Sequence, residues 1–283
     1  MPGDSINRRH FGKLVISSAL LPTALTAQTR LSVAAVNYPL VYFAERIAGN
    51  IADVAFPVPA GVDPSFWRPG IADIATFQSA DVILLNGASF ADWTARTTLP
   101  RSRLVNTSKD FEGAYIATET VTHSHGDGGE HSHTGTASYT WLDFSQASQQ
   151  AEAVAAALSR AAHDAADLMS ANLESLAADL AALHQAGQAI GESAQGITLI
   201  ASHPRYQYFA RAYGLSMEAV DWDAVEPPRE DQWKSLADLL GEVGARVFIW
   251  EATPSAEAMS RIEALGLTNV VFPPLANRPE TGD

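Results

Sequence analysis

The 283 residues are 47% hydrophobic and 18% charged, the balance of a folded chain long enough for two domains and not of a disordered one. A net charge of −14 argues against nucleic acid or an anionic membrane surface as partner. The absence of cysteine excludes disulfides, thiolate metal sites and a lipid carried on an N-terminal cysteine.

The chain opens on an export signal, residues 1–27. Arg8 and Arg9 precede the apolar run Leu14 to Leu21, and the small residues before Ala27 suit a cleavage site. The paired arginines resemble the twin-arginine class. The apolar run is too short for a permanent membrane span, and no later stretch reaches the roughly 18 apolar residues one needs. The expectation is an exported protein, soluble in the periplasm, without a lipid anchor.

From Leu31 strands and helices alternate as in a parallel sheet covered on both faces. Strands are predicted at 31–36, 54–58, 82–85 and 104–105, and helices at 39–49, 71–79 and 90–96. A loop containing Asp63, Ser65 and Trp67 follows the second strand. Between Glu119 and Ser138 the composition turns to glycine, serine, threonine and histidine, which predicts a solvated loop and no packed element. Within it, at 122–135, His123, His125, His131 and His133 form two His-Ser-His pairs around Asp127 and Glu130. That composition suits low-affinity chelation of zinc or copper, because a glycine-rich chain loses entropy when it closes on an ion. An inert solvated loop is the alternative.

Trp141-Leu142-Asp143 ends the loop, and an alanine-rich stretch then reads as one connecting helix over 145–190, with possible breaks near His163 and Ser170. Two helices of one bundle remain the alternative. The alternation resumes with strands at 197–201, 218–220, 246–250 and 270–272, and helices from Pro204 to Tyr213, at 232–243 and at 256–265. The fold class is therefore α/β: two lobes with parallel sheets, at 28–144 and 191–283, joined by a long rigid helix. His203 sits where the strand 197–201 stops and a helix starts. A strand's carboxyl end is where open α/β sheets place ligands, but a capping or packing histidine fits that position equally.

In this order the motifs resemble the cluster A-I solute-binding proteins of ABC transporters, which capture zinc, manganese or iron outside the cytoplasm. The resemblance rests on Gly61 to Pro69, Ala80 to Gly87, the histidine-rich loop running into Trp141-Leu142-Asp143, Ser202 to Leu215, Glu226-Pro227-Pro228, Phe248 to Glu251 and the closing Glu280 to Asp283. It implies a metal ion as transported ligand, zinc foremost with manganese or iron as alternatives, and no organic cofactor. It also implies a monomer that docks peripherally on an ABC permease with its ATPase and closes only slightly around its cargo. Carried over position by position, the metal ligands are Ser65, Tyr139, His203 and Asp283, and the histidine-rich loop looks like a metal collector.

Two of those four depart from the histidines the family uses. Three accounts follow. Tyr139 as phenolate, His203 and Asp283, with water or an outside ligand near Ser65, would suit ferric iron. The cleft has otherwise decayed, leaving metal to the loop histidines, as in a periplasmic metallochaperone. Or the cleft takes a non-metal solute, lined by Trp67 and Trp222. Asp63 or Glu251 could enter the coordination sphere. No phosphate-binding loop, nucleophile elbow, HExxH or cysteine nucleophile occurs, so an enzyme is not expected.

Overall fold

The structure, a computed structural model, describes residues 30–118, 122–124, 130–132, 135–222 and 226–279. The expected export signal, residues 1–27, and Asp283 lie outside the described residues, as do His125 and His133.

The first lobe begins with β1 (Leu31–Ala35), whose last three residues are buried. α1 (Tyr38–Ala48) follows at once because Asn37 caps it: the side-chain oxygen accepts from the Leu40 amide, and Pro39 stands in the first turn. β2 (Ala52–Ala55) starts two residues earlier than predicted. Its register against β1, Leu31 opposite Ala52 and Ala34 opposite Ala55, draws in Ala52 and Asp53, and Pro57 lacks the amide that would extend it. α2 (Ile71–Ser79) and β3 (Val82–Leu85) fall where the pattern places them, and β4 (Leu104–Asn106) closes a parallel sheet of order β2-β1-β3-β4. Within the histidine-rich segment, β5 (Thr122–Ser124) and β6 (Glu130–Ser132) pair antiparallel with His123 opposite His131. These two segments are paired strands where a loop without packed elements was expected.

The alanine-rich stretch is not one helix. α3 (Phe144–Ala161) is capped by Asp143, whose carboxylate accepts from Ser145 and Gln146. It ends at Ala162, which leaves helical geometry at φ −134 and ψ 70, and a 3-10 turn at His163–Ala165 leads into α4 (Ala166–Ser193). The two pack together as a hairpin against α1. α3 thus belongs to the first lobe, where Ala147, Ala151, Val154 and Leu158 join its core. The 28 residues of α4, about 42 Å at 1.5 Å per residue, form the connection between the lobes. The expected break near Ser170 is absent.

The second lobe contains β7 (Thr198–Ala201), α5 (Gln207–Tyr213), β8 (Ser216–Ala219), α6 (Glu230–Val243), β9 (Val247–Trp250), α7 (Ala256–Ala264) and β10 (Thr268–Val271), in a parallel sheet of order β10-β9-β7-β8. From its own first strand this is the order of the first lobe's sheet. The lobes share one apolar core, which runs from Val33 and Leu40 through α3 and α4 to Leu199, Phe209 and Ile249. A smaller cluster around Trp222, Trp233, Phe248 and Trp250 fills the far side of the second sheet.

Polar contacts reinforce the junction. Trp141 donates to the Pro274 carbonyl at 2.8 Å, the Tyr38 amide to Ala276 at 2.8 Å, and Asn277 to both Pro59 and Val62 at 2.7 Å. α5 seats on α4 at two glycines. A Cβ on Gly191 would stand 2.1 Å from the Tyr213 carbonyl oxygen, and one on Gly187 would meet the Tyr213 ring at 2.4 Å. Among the described residues no helix is long and apolar enough to cross a membrane.

Candidate functional site

In a sheet of this order the chain leaves the two central strands in opposite directions, and the crevice at their carboxyl ends is the ligand position. The second lobe presents Ser202 to Arg205 after β7 and Glu251 after β9. The two turns are tied where the Glu251 amide donates to Ser202 Oγ at 3.2 Å. Facing them are the first lobe's loop after β2, carrying Asp63, Ser65 and Phe66, and Tyr139 ahead of α3.

These residues converge on a guanidinium. Arg205 is only 6% exposed. Its Nη2 donates to Asp63 Oδ2 at 2.6 Å and its Nε to Glu251 Oε2 at 3.3 Å, so one side chain joins a carboxylate from each lobe. It lies 4.7 Å from the centre of the Tyr139 ring and 5.4 Å from that of Phe66, within the range where an aromatic face attracts a cation. The Tyr139 hydroxyl donates to Asp63 Oδ2 at 3.0 Å, and Ser65 donates to Asp63 Oδ1 from its amide at 2.8 Å and its hydroxyl at 2.7 Å. Burial works against the guanidinium's charge, but Asp63, Tyr139 and Glu251 outweigh it and hold the group protonated above its ordinary value.

Tyr139 is not a phenolate in this setting. Burial pushes its phenol well above the ordinary value; Arg205 opposes this, while Asp63 and Glu251 reinforce it. Its ring is 3% exposed and packs against Phe90 and Trp141.

His203 is 2% exposed, and its Nδ1 lies 3.2 Å from both the Trp222 carbonyl and Asp221 Oδ1. Two acceptors at one nitrogen place the ring hydrogen on Nδ1. Trp67 and Trp222 are core residues in place of the expected cleft lining. Trp67, 9% exposed, packs edge-on against Trp93, and Trp222, 2% exposed, against Trp233. Large indoles at strand and loop ends bury more apolar area inside a lobe than at its rim. Of the carried-over positions the structure brings Ser65 and Tyr139 together, joined by Asp63 and Glu251. Among the described residues no three His, Cys, Asp or Glu side chains converge with metal-binding spacing.

Arg205 is the residue that the sequence reading missed. Its signal was present: a basic side chain two positions after the strand-end histidine, in a strongly acidic chain, with Asp63 and Glu251 already marked at the same cleft.

Two parallel α/β lobes on a connecting helix, with polar groups from both meeting at the strand ends, define a two-lobed solute-binding protein. A family model described as the zinc-uptake complex component A, periplasmic, matches residues 33–283, and the chain belongs to that family. It is 24% identical over 264 residues to the zinc-binding lipoprotein AdcA of Streptococcus pneumoniae, covering 90% of this chain and 52% of the relative. It is 24% identical over 225 residues to the manganese-binding lipoprotein MntA of Halalkalibacterium halodurans, 77% of this chain and 70% of that one. With ZnuA of the high-affinity zinc uptake system of Bacillus subtilis it shares 26% over 214 residues, 74% and 66% of the two chains. The chain thus spans about half the length of the AdcA relatives. In solved structures the fold is that of the metal-dependent lipoprotein YcdH of Bacillus subtilis, with a TM-score of 0.74 at 20% identity over 89% of this chain and 90% of the other. It is also that of Zn(II)-bound AdcA of Streptococcus pneumoniae, with a TM-score of 0.75 at 19% identity over 89% and 52%.

Proposed function

We propose that this chain is the extracytoplasmic solute-binding component of an ABC uptake system, which captures a transition-metal ion between its lobes and hands it to a permease driven by an ATPase. The observation that carries the reading is that a carboxylate from each lobe meets a single positive charge in the interlobe crevice, with the Tyr139 hydroxyl bonded to the first of them. A crevice built around a cation suits a cation as cargo. Relatives named for zinc and manganese support that class of ion. Zinc leads, and manganese or iron are the alternatives.

Asp63, Glu251 and Tyr139 offer oxygen donors. His203 offers Nε2, since a second-sphere carboxylate or carbonyl on the other nitrogen is how proteins orient a ligating imidazole. The carried-over Ser65 would help to orient Asp63, and Asp283, outside the described residues, would be a further donor. Solute binding with no bond made or broken is a non-enzymatic function. The chain is proposed to act as a periplasmic monomer exported through its first 27 residues. AdcA and MntA are named lipoproteins, whereas the 283 residues here contain no cysteine to carry such a lipid.

The test is thermal unfolding with zinc, manganese and iron(III), for the full chain and for a variant lacking 122–135. An ion at a hundredfold its Kd should add about 2.7 kcal/mol of stability. The shift should survive deletion of the histidine-rich segment and shrink in Glu251→Gln and His203→Ala. The histidines at 123, 125, 131 and 133 would serve to gather metal. A shift that vanishes with that segment alone would instead favour a metallochaperone, a second reading supported by the lack of a ready three-ligand group among the described residues.

A further inference from the structure

The Arg205 site combines features that a simple structural ion pair does not need. Its two carboxylates come from different lobes and different loops, its cation lies over two aromatic rings of the first lobe, and Ser65 and Tyr139 both orient the same Asp63 carboxylate. Arginine is charged at every physiological pH, so it cannot vacate the site by losing a proton. A divalent ion seated beside it would set three positive charges against two carboxylates in a largely buried crevice. The two cations therefore exclude each other, and exclusion has to be conformational.

The arginine is placed for such a movement. It stands in the irregular turn Ser202–Tyr206 between β7 and α5, outside any helix or strand, with its amide donating to the His203 carbonyl at 2.8 Å. The same turn carries His203, so a shift of the backbone that withdraws the guanidinium also repositions an imidazole.

We propose that Arg205 is the resident counter-cation of the interlobe crevice: a captured metal ion displaces its guanidinium from Asp63 and Glu251, and its return expels the metal. The inference rests on the metal-capture reading above and adds to it a built-in competitor that weakens capture and drives release. Apparent affinity for the ion is reduced by the fraction of molecules in which the arginine has vacated the carboxylates.

The experiment measures zinc and manganese affinity by chelator competition in a common full-length background carrying His123→Gln, His125→Gln, His131→Gln and His133→Gln. Arg205→Met, which keeps an unbranched apolar stem against the rings, should bind zinc about tenfold tighter or more, corresponding to an arginine that holds the site at least nine-tenths of the time. Adding Asp63→Asn should abolish the gain. Arg205→Lys, which keeps the charge but cannot span both carboxylates, should gain about threefold, and it serves if the methionine variant is poorly folded. In the same background without an Arg205 substitution, the ¹⁵Nε resonance of Arg205 should move from its ring-shifted position as zinc is added. Metal binding that is equal in all Arg205 variants, or that leaves this resonance unmoved, overturns the inference while the capture reading stands. Binding that appears only once Arg205 is replaced overturns capture by the native cleft while mutual exclusion stands. No binding in any variant overturns both.

Discussion

The same topological point occurs once in each lobe, and the two have been furnished in opposite ways. At the ends of β1 and β3 the first lobe places Asn37 and Asn86, joined where Asn37 Nδ2 donates to Asn86 Oδ1 at 3.1 Å. Gln150 and Thr140 also donate to that oxygen, and Asn86 donates in turn to the Ser138 carbonyl. Every member is neutral, and Asn37, Asn86, Thr140 and Gln150 are each at most 1% exposed. At the ends of β7 and β9 the second lobe places Ser202 and Glu251, with Arg205 beside them. A neutral network seals one crevice and fixes the helix cap above it; a charged one opens the other toward the facing lobe. Strand order decides where a crevice forms, and side-chain charge decides whether it becomes structure or site.

Four substitutions probe this contrast, read by denaturant unfolding. Asn86→Ala should have the largest effect, about 3 kcal/mol, because it strands several buried donors and acceptors at once. The loss should not vary between pH 5 and 9, since no member of the network titrates there. A pH-dependent loss would mean that the first crevice is not the neutral counterpart described.

Gly191→Ala comes next, at about 2 kcal/mol destabilising. Alanine in a helix interior ordinarily stabilises relative to glycine, but here the methyl meets the Tyr213 carbonyl oxygen. A stabilising result would show that α5 is not seated on α4 at this glycine. Asp63→Asn should cost about 1.5 kcal/mol, below the usual penalty for breaking a buried pair because Glu251 remains and the Asp63 side chain is 27% exposed. Its effect should fall on the lobe junction: limited proteolysis should quicken in the loop 59–69.

Tyr213→Phe should be smallest, about 1 kcal/mol at neutral pH, for the loss of the hydroxyl that accepts from the Phe144 amide at 3.3 Å. Its signature is alkaline. Burial pushes the Tyr213 phenol up to about 12, whereas the unfolded chain releases that proton near 10. Between those values the unfolded state binds fewer protons, so stability falls as pH rises. The phenylalanine variant should show a shallower fall over that range.

Much of the scaffold was legible in the chain. Apolar runs bounded by glycine or proline located most strands to within two residues, and α2 and β3 fell as read. The alanine-rich stretch allowed both one helix with a break near His163 and two helices of one bundle, and it did not decide that the chain reverses at Ala162. Alanine and leucine favour helix equally on either side of it, and no glycine or proline marks a turn. The break exists because both arms bury apolar faces against α1. The site divided along the same line. Motif order marked Asp63, Ser65, Tyr139 and Glu251 for one cleft, since each sits at a strand or loop end whose position follows from topology. Which group they would surround was not readable, because an arginine in a βα turn reads locally as surface. It becomes the centre of the crevice only when a carboxylate 142 residues earlier in the chain is brought to 2.6 Å.

The sequence by itself determined the class of fold, the alternation of strands and helices, and the polar character of the loops that meet at the strand ends, because all of these follow from local periodicity and turn chemistry. Only the tertiary structure decided that Arg205 occupies the crevice, that His203 turns its Nδ1 to Asp221 and Trp222, and that Trp67 and Trp222 serve the core. Burial and charge pairing are properties of two distant segments at once, and neither segment carries them alone.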